Sequence, residues 1–241
     1  MSMITDLWLT RHGESMGNIA ATAAERAGAE RIEIDERDAD VPLSPTGEDQ
    51  ARAFGDWLSG HGEIARAWVS PYRRAEQTLA IAQAESASPL VAVVDERLRD
   101  RELGVLDLLT WRGVELRQPE EAARRRRLGK YYHRPAGGES WADVRLRLRS
   151  FLADALPAGD GSALIVAHDA VVLLLASLLL SMDERELLTF AARNTVLNAS
   201  ITHLTCDDGG WRLVAFSDVT HLTREGADVT VHPGSPDVQP D

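Results

Sequence analysis

The chain has 241 residues, 44% of them hydrophobic, and a net charge of −12. That length suits one large α/β domain or two small ones, and the apolar share is enough for a full core. The acidic balance argues against nucleic acid as the main partner. The single cysteine, Cys206, excludes an internal disulfide and a cysteine-ligated zinc site, and fits a reducing compartment.

The first residues carry neither a basic segment nor a long apolar run, so no signal peptide is expected. The longest apolar run, Ala170 to Leu180, is too short and interrupted to span a bilayer. The expectation is a cytoplasmic protein with no membrane partner. Lys130 is the only lysine. The plain reading of the arginine excess is a GC-rich coding bias; phosphate recognition by planar guanidinium groups would explain only a few of them.

Ile4 to Thr10 is apolar and β-prone and reads as a buried strand. It breaks at Arg11-His12-Gly13, and an alanine-rich helix follows from about Ile19 to Ala29. A strand, a glycine turn and a helix start point to a phosphate site on physical grounds alone. Gly13 would let backbone approach a ligand, and the helix N-terminus favours an anion. Arg11 and His12 add a fixed charge and a titratable nitrogen, and Asn18 could donate its amide to the same point.

A polar, acidic loop, Arg31 to Asp40, leads to a second helix with Ser44 as N-cap and Pro45 at its first position. Ala51, Phe54, Trp57 and Leu58 give that helix an apolar face. Arg66 to Ser70 reads as a short buried strand, followed by a helix to about Ala84 that starts near Arg73 and Arg74. Ligands in open α/β sheets collect at such strand ends. Leu90 to Val94 is a third strand, and Asp95 to Leu106 a charged segment after it.

The chain then leaves strand–helix alternation. Residues 105–138 read as an inserted cap, with a helix from Trp111 to Leu128 that ends in Arg124-Arg125-Arg126-Arg127. The four arginines fit a solvated helix end that complements the dipole, the plainer reading, or a rim that recruits an anionic substrate. Tyr131, Tyr132 and His133 read as cap packing. A long amphipathic helix runs from Gly138 to Leu156, with Val144, Leu146, Leu148, Phe151, Leu152 and Leu156 on its buried face and a stop at 157–161. Ala163 to Ala167 makes a central strand, with His168 at its end and a helix from Ala170 to Ser181 behind it. Asp183 caps another helix to Ala191. Ser200 to Cys206 and Trp211 to Asp218 form a hairpin. Residues 223–241 are rich in Gly, Asp and Pro, and little packed structure is expected there. His61, His203, His221 and His232 have no metal-ligand spacing and are read as non-catalytic. No internal repeat or linker interrupts residues 1–222, so one domain with a cap is the economical organisation.

Several of these stretches, taken together, resemble one known family. Leu7-x-Leu9-x-Arg11-His12-Gly13-Glu14-Ser15-x-x-Asn18 resembles the signature of the histidine phosphatase superfamily, the phosphoglycerate-mutase-like fold. Leu43-x-x-x-Gly47-x-x-Gln50-Ala51 is similar to its second landmark. Ser70-x-x-x-Arg74-Ala75-x-Gln77-Thr78 resembles its arginine segment, Leu98-Arg99-Asp100 its Leu-Arg-Glu segment, and Val166-x-His168 its Val-x-His-Gly segment. Gly137-Gly138-Glu139-Ser140 is similar to a sequence found in its phosphatase members.

The resemblance implies a three-layer α/β/α fold with a mostly parallel sheet and a helical cap. It implies that His12 is phosphorylated during turnover. It implies that Arg11, Asn18, Arg74 and His168 hold the phosphoryl group, and that Arg101 holds an anionic part of the substrate. Arg73 is then a solvated charge. The general acid falls on Asp100, one methylene shorter than the usual glutamate, with Glu102 and Asp169 as rivals. Asp169 stands where the family has glycine, and helix capping is its plainer reading. The function implied is hydrolysis of a small anionic phosphomonoester. The alternatives are a cofactor-dependent phosphoglycerate mutase and a catalytically weak phospho-ligand binding protein. No metal and no cofactor is called for, and a homodimer is left open.

Overall fold

The computed structural model describes residues 4–86, 90–157 and 161–232, without the side chain of residue 65. The first three residues, the centre of the expected helix stop at 158–160 and the far tail 233–241 lie outside the described residues.

Six strands form one sheet: β1 (Ile4–Arg11), β2 (Ile64–Val69), β3 (Val91–Val94), β4 (Gly161–Ala167), β5 (Ile201–Asp207) and β6 (Gly210–Asp218). Their order is β3-β2-β4-β1-β5-β6. The first four pair in parallel, and the β5–β6 hairpin adds antiparallel to β1. Strand β4 lies at the centre, which is why Ala163 to Ala167 reads as a continuous apolar run. Strand β3 is the edge, and its valines 91, 93 and 94 are exposed.

Side chains alternate between two helical layers. Ala163, Ile165 and Ala167 pack on one face with helices α6 (Trp141–Ala155), α7 (Asp169–Leu179) and α8 (Glu184–Arg193). Leu164 and Val166 pack on the other with α2 (Pro45–Ser59) and α3 (Arg73–Ser86). This is the three-layer α/β/α arrangement expected. Helix α1 (Met16–Arg26) follows β1. It starts three residues earlier than expected, because Ser15 and Asn18 form a reciprocal capping box.

Three expectations need correction. The helix expected over 111–128 is two, α4 (Trp111–Arg117) and α5 (Pro119–Tyr132), because Pro119 has no amide hydrogen to continue the first. Leu146 is 61% exposed, off the buried face of α6. The boundary set at residue 222 falls inside α9 (Thr220–Glu225), and the chain beyond it packs. Gln50 Nε2 donates to Asp228 O (2.8 Å), and His232 Nε2 lies 2.6 Å from Glu14 Oε2.

Candidate active site

The site forms where β1, β2 and β4 end. His12 N donates to Ala167 O (2.9 Å), which locks His12 beside His168, with ring centroids 5.2 Å apart. Ser70 N donates to Val166 O (3.0 Å), and its hydroxyl lies 2.8 Å from His168 Nε2. Helix α3 then returns Arg74 to within 3.2 Å of His12. Helices α1, α3 and α7 all begin here, so their N-terminal partial charges favour an anion at one point. The expected juxtaposition of Arg11, His12, Arg74 and His168 is therefore found.

His12 is 3% exposed. Its Nδ1 lies 2.7 Å from Gly13 O, so the proton belongs on Nδ1, where it is donated to that carbonyl. Nε2 then carries a lone pair, and Arg74 Nε donates to it at 3.2 Å. Burial holds His12 well below the ordinary histidine pKa of 6.5, and Arg74, His168 and Arg11 push in the same direction. The ring is neutral at neutral pH, and His12 lines the pocket.

His168 is fully buried and does not line the pocket wall. Burial also holds its pKa well below 6.5, with help from Arg74 and Arg11. If Ser70 donates to Nε2, the ring proton sits on Nδ1, which faces Asp100 Oδ2 at 3.3 Å without hydrogen-bond geometry. Arg11 is 4% exposed; one guanidinium nitrogen donates to Val196 O (2.8 Å), and its Nε has no partner among the described residues. A buried cationic donor of this kind is costly unless an anion satisfies it. Asn18 Oδ1 accepts from Ser15 N and Asn198 Nδ2 (3.1 and 3.2 Å), which leaves the amide NH2 as the donor for an anion.

Arg74 makes four hydrogen bonds. Besides His12 it donates to Asp38 O (2.6 Å), Asp38 Oδ1 (3.0 Å) and Asp100 Oδ2 (3.0 Å). Asp100 lines the pocket, and its other oxygen accepts from Arg101 N (2.8 Å). Arg101 lines the pocket as well. Its Nε donates to Glu139 O (2.6 Å), and desolvation, then Arg125, lowers its pKa to about 10.

Glu102 turns away: it is exposed, accepts from Tyr72 OH (3.1 Å) and is not on the pocket wall. Asp169 is on the wall, but its carboxylate accepts from Ala170 N (2.6 Å). It is the first residue of α7 and not the cap, a position held by His168. Arg73 is exposed, as expected. Arg124 and Arg126 pair with Glu121 and Glu115, and Arg125 stacks over Trp111, so none of the three lines the pocket.

Four features were not legible beforehand. Asp38, in the acidic loop, is a pocket acid; desolvation pushes its pKa up, Arg74 opposes this and Asp100 adds to it. Asn198 Nδ2 holds His12 O (3.1 Å) from a long connection that carries no motif. Glu139 braces the Asp100 segment by accepting from Glu102 N, Arg99 and Arg147, and the Gly-Gly-Glu-Ser pattern was the signal for it. Gly13 packs against the backbone of α2: a Cβ there would meet Gly47 O at 2.5 Å. Among the described residues, no three His, Cys, Asp or Glu side chains converge as a metal site requires. No described helix is long and apolar enough to cross a membrane.

The chain is 31% identical to an Enterobacter protein named as a probable phosphoglycerate mutase, GpmB, over 92% of this chain and 97% of that one. It is 27% identical to a metal-independent phosphoserine phosphatase of Arabidopsis thaliana, over 93% and 86%. Its fold is similar to that of a mycobacterial glucosyl-3-phosphoglycerate phosphatase solved with VO3, with a TM-score of 0.66, 26% identity and coverage of 89% and 100%. A family model matches residues 7–219, a span that takes in the ends of β1, β2 and β4 and every residue placed around His12. The chain belongs to the histidine phosphatase superfamily, branch 1.

Proposed function

We propose that this protein hydrolyses a small phosphomonoester through a phosphohistidine on His12. The observation that carries this reading is the Nδ1–Gly13 O contact, which leaves Nε2 neutral and aimed at the pocket between buried arginines. In the first step Nε2 attacks phosphorus in line and the P–O bond to the alcohol breaks. Charge spreads over the equatorial oxygens. Arg11, Arg74 and Asn18 meet those oxygens as preorganised donors. Binding of the dianion exchanges the Arg74–Asp100 pair for an Arg74–phosphoryl pair and uncovers His168 Nδ1 as a further donor.

Asp100 is the proposed proton donor to the leaving oxygen, and afterwards the base that takes a proton from the attacking water. It is preferred to Glu102 and Asp169 because it faces both His168 and Arg74. Asp38 replaces them as the serious rival, since it shares Arg74 and its pKa is raised. Arg101 is proposed as a substrate contact at the pocket wall.

A mutase is the second reading, favoured by the GpmB-like relative and by Arg101 in the wall. The two differ in the acceptor of the phosphoryl group. Incubation of the purified protein with 3-phosphoglycerate and a bisphosphate primer, beside p-nitrophenyl phosphate, separates them. Release of inorganic phosphate without 2-phosphoglycerate supports the hydrolase; isomerisation supports the mutase. Phosphate binding with neither reaction would leave a binding protein.

A further inference from the structure

The pocket has two chemically different ends. Arg11, Arg74 and Asn18 surround His12 at one end. The wall beyond them is formed largely by Ile32, Ile34, Val41, Leu103, Leu108 and Leu109. Residues 31–35 lie in the stretch that reads as a polar loop, yet their exposure alternates. Arg31, Glu33 and Asp35 face solvent, while Ile32 and Ile34 are half-buried and line the pocket.

This ribbon is held in place. Ile32 N donates to Leu108 O (2.9 Å), Thr110 N donates to Glu30 O (3.2 Å), and Arg31 bridges to Leu109. Leu108 sits at φ 55°, a left-handed conformation unfavourable for leucine. The pairing with residues 30–32 holds this conformation in place and keeps Leu108 on the pocket wall.

The charges of this wall point the same way. Apart from Arg11 and Arg74, Arg101 is the one Lys or Arg lining the pocket; its Nε donates to Glu139 O, and its charge is offset by Asp100 and Glu139 nearby. Glu25, Asp38, Asp107 and Asp169 are the other charged groups there besides Asp100. A substrate with a carboxylate on its organic part would find one cation on this wall, Arg101, against five acids, and would set its charge among apolar side chains. An apolar body would bury against the isoleucines and leucines.

We propose that the pocket selects phosphomonoesters of uncharged, apolar alcohols, with the alkyl or aryl body against Ile32, Ile34 and Leu108. The proposal rests on the hydrolase reading only for the position of the phosphoryl group. Two series test the two ideas separately. Straight-chain alkylphosphonates, which cannot be hydrolysed, measure binding by calorimetry; the matching alkyl phosphates measure turnover. In both, the chemistry at the reacting end is nearly constant once the chain passes two carbons.

Phosphonate affinity is expected to rise about fourfold per methylene until the wall is covered, from the usual burial of a methylene. Ile32→Ser and Ile34→Ser should each flatten that slope. A rising affinity series without turnover supports the apolar pocket and defeats the hydrolase. A flat affinity series overturns the apolar pocket, whatever the turnover. So does a kcat/KM for 3-phosphoglycerate or a sugar phosphate tenfold above that for octyl phosphate.

Discussion

Gly47→Ala should damage the site from outside it. Gly47 is the third residue of α2 and does not line the pocket. A Cβ at Gly47 would lie 2.9 Å from both the amide nitrogen and the carbonyl carbon of Glu14, and closer still to its carbonyl oxygen. Ordinary contact begins at 3.4 Å and the carbonyl oxygen sets the larger demand, so α2 or the Arg11–Glu14 segment must shift by about 1 Å or more. Such overpacking costs about 1–3 kcal/mol. For a chain of this size that is a fall in Tm of about 3–10 °C. The shift passes directly to His12, because Glu14 N is fixed to Gln50 Oε1 (2.8 Å) on the same helix. Misplacement of a reacting group by about 1 Å can cost a hundredfold, so kcat/KM should fall by roughly tenfold or more. The assay is p-nitrophenyl phosphate hydrolysis well below the new Tm, beside calorimetry of both proteins. Wild-type Tm and wild-type kcat/KM together would refute the claim that the close packing of Gly47 on Glu14 sets the position of His12.

Asp100→Asn should slow alkyl phosphates by about a hundredfold and p-nitrophenyl phosphate far less, because a phenolate leaves without a proton; equal losses, or the selective loss in Asp38→Asn, would move the role. Stability should fall on acidification between about pH 6.5 and 4. His221 is buried, and desolvation lowers its pKa to about 4, so the unfolded chain binds the proton first in that window; above 6.5 the contribution is complete. The loss is roughly 3 kcal/mol for His221, and His12 and His168 add to it with the same sign. Urea unfolding at pH 7.5 and 5 checks this, and an unchanged midpoint contradicts it. His232→Ala should cost about 1–3 kcal/mol, since it removes a buried partner from the Glu14 carboxylate, held otherwise by Ser44 Oγ at 2.6 Å; a thermal scan equal to wild type would make the packed tail irrelevant to the site.

Elements with a strong period or an unambiguous stop were legible. The buried strand Ala163 to Ala167, the Ser44-Pro45 helix start and the Gly209-Gly210 hairpin each carry a local physical signal that tertiary contacts do not override. The residues around His12 were legible because strand ends and helix starts must converge in a parallel sheet. What escaped was set by distance in sequence. Asp38 reaches Arg74 across 36 residues, and Asn198 reaches the His12 carbonyl across 186. His232 docks on Glu14 across 218. None of these pairs has a periodicity that could announce it. The alternation of Ile32 and Ile34 was present in the sequence but hidden by the acids around it. Gly13 suggests close approach of backbone to a ligand, and the close approach the structure shows is to the Gly47 backbone, 34 residues on.

The central claim is that the phosphoryl group passes through His12. A single turnover quenched in alkali, where phosphohistidine survives, and mapped by mass spectrometry tests it directly. The account predicts phosphate on the peptide that contains His12, lost in His12→Ala along with nearly all turnover while the fold is kept. Phosphate on another residue, or His12→Ala hydrolysing at the wild-type rate, would contradict it.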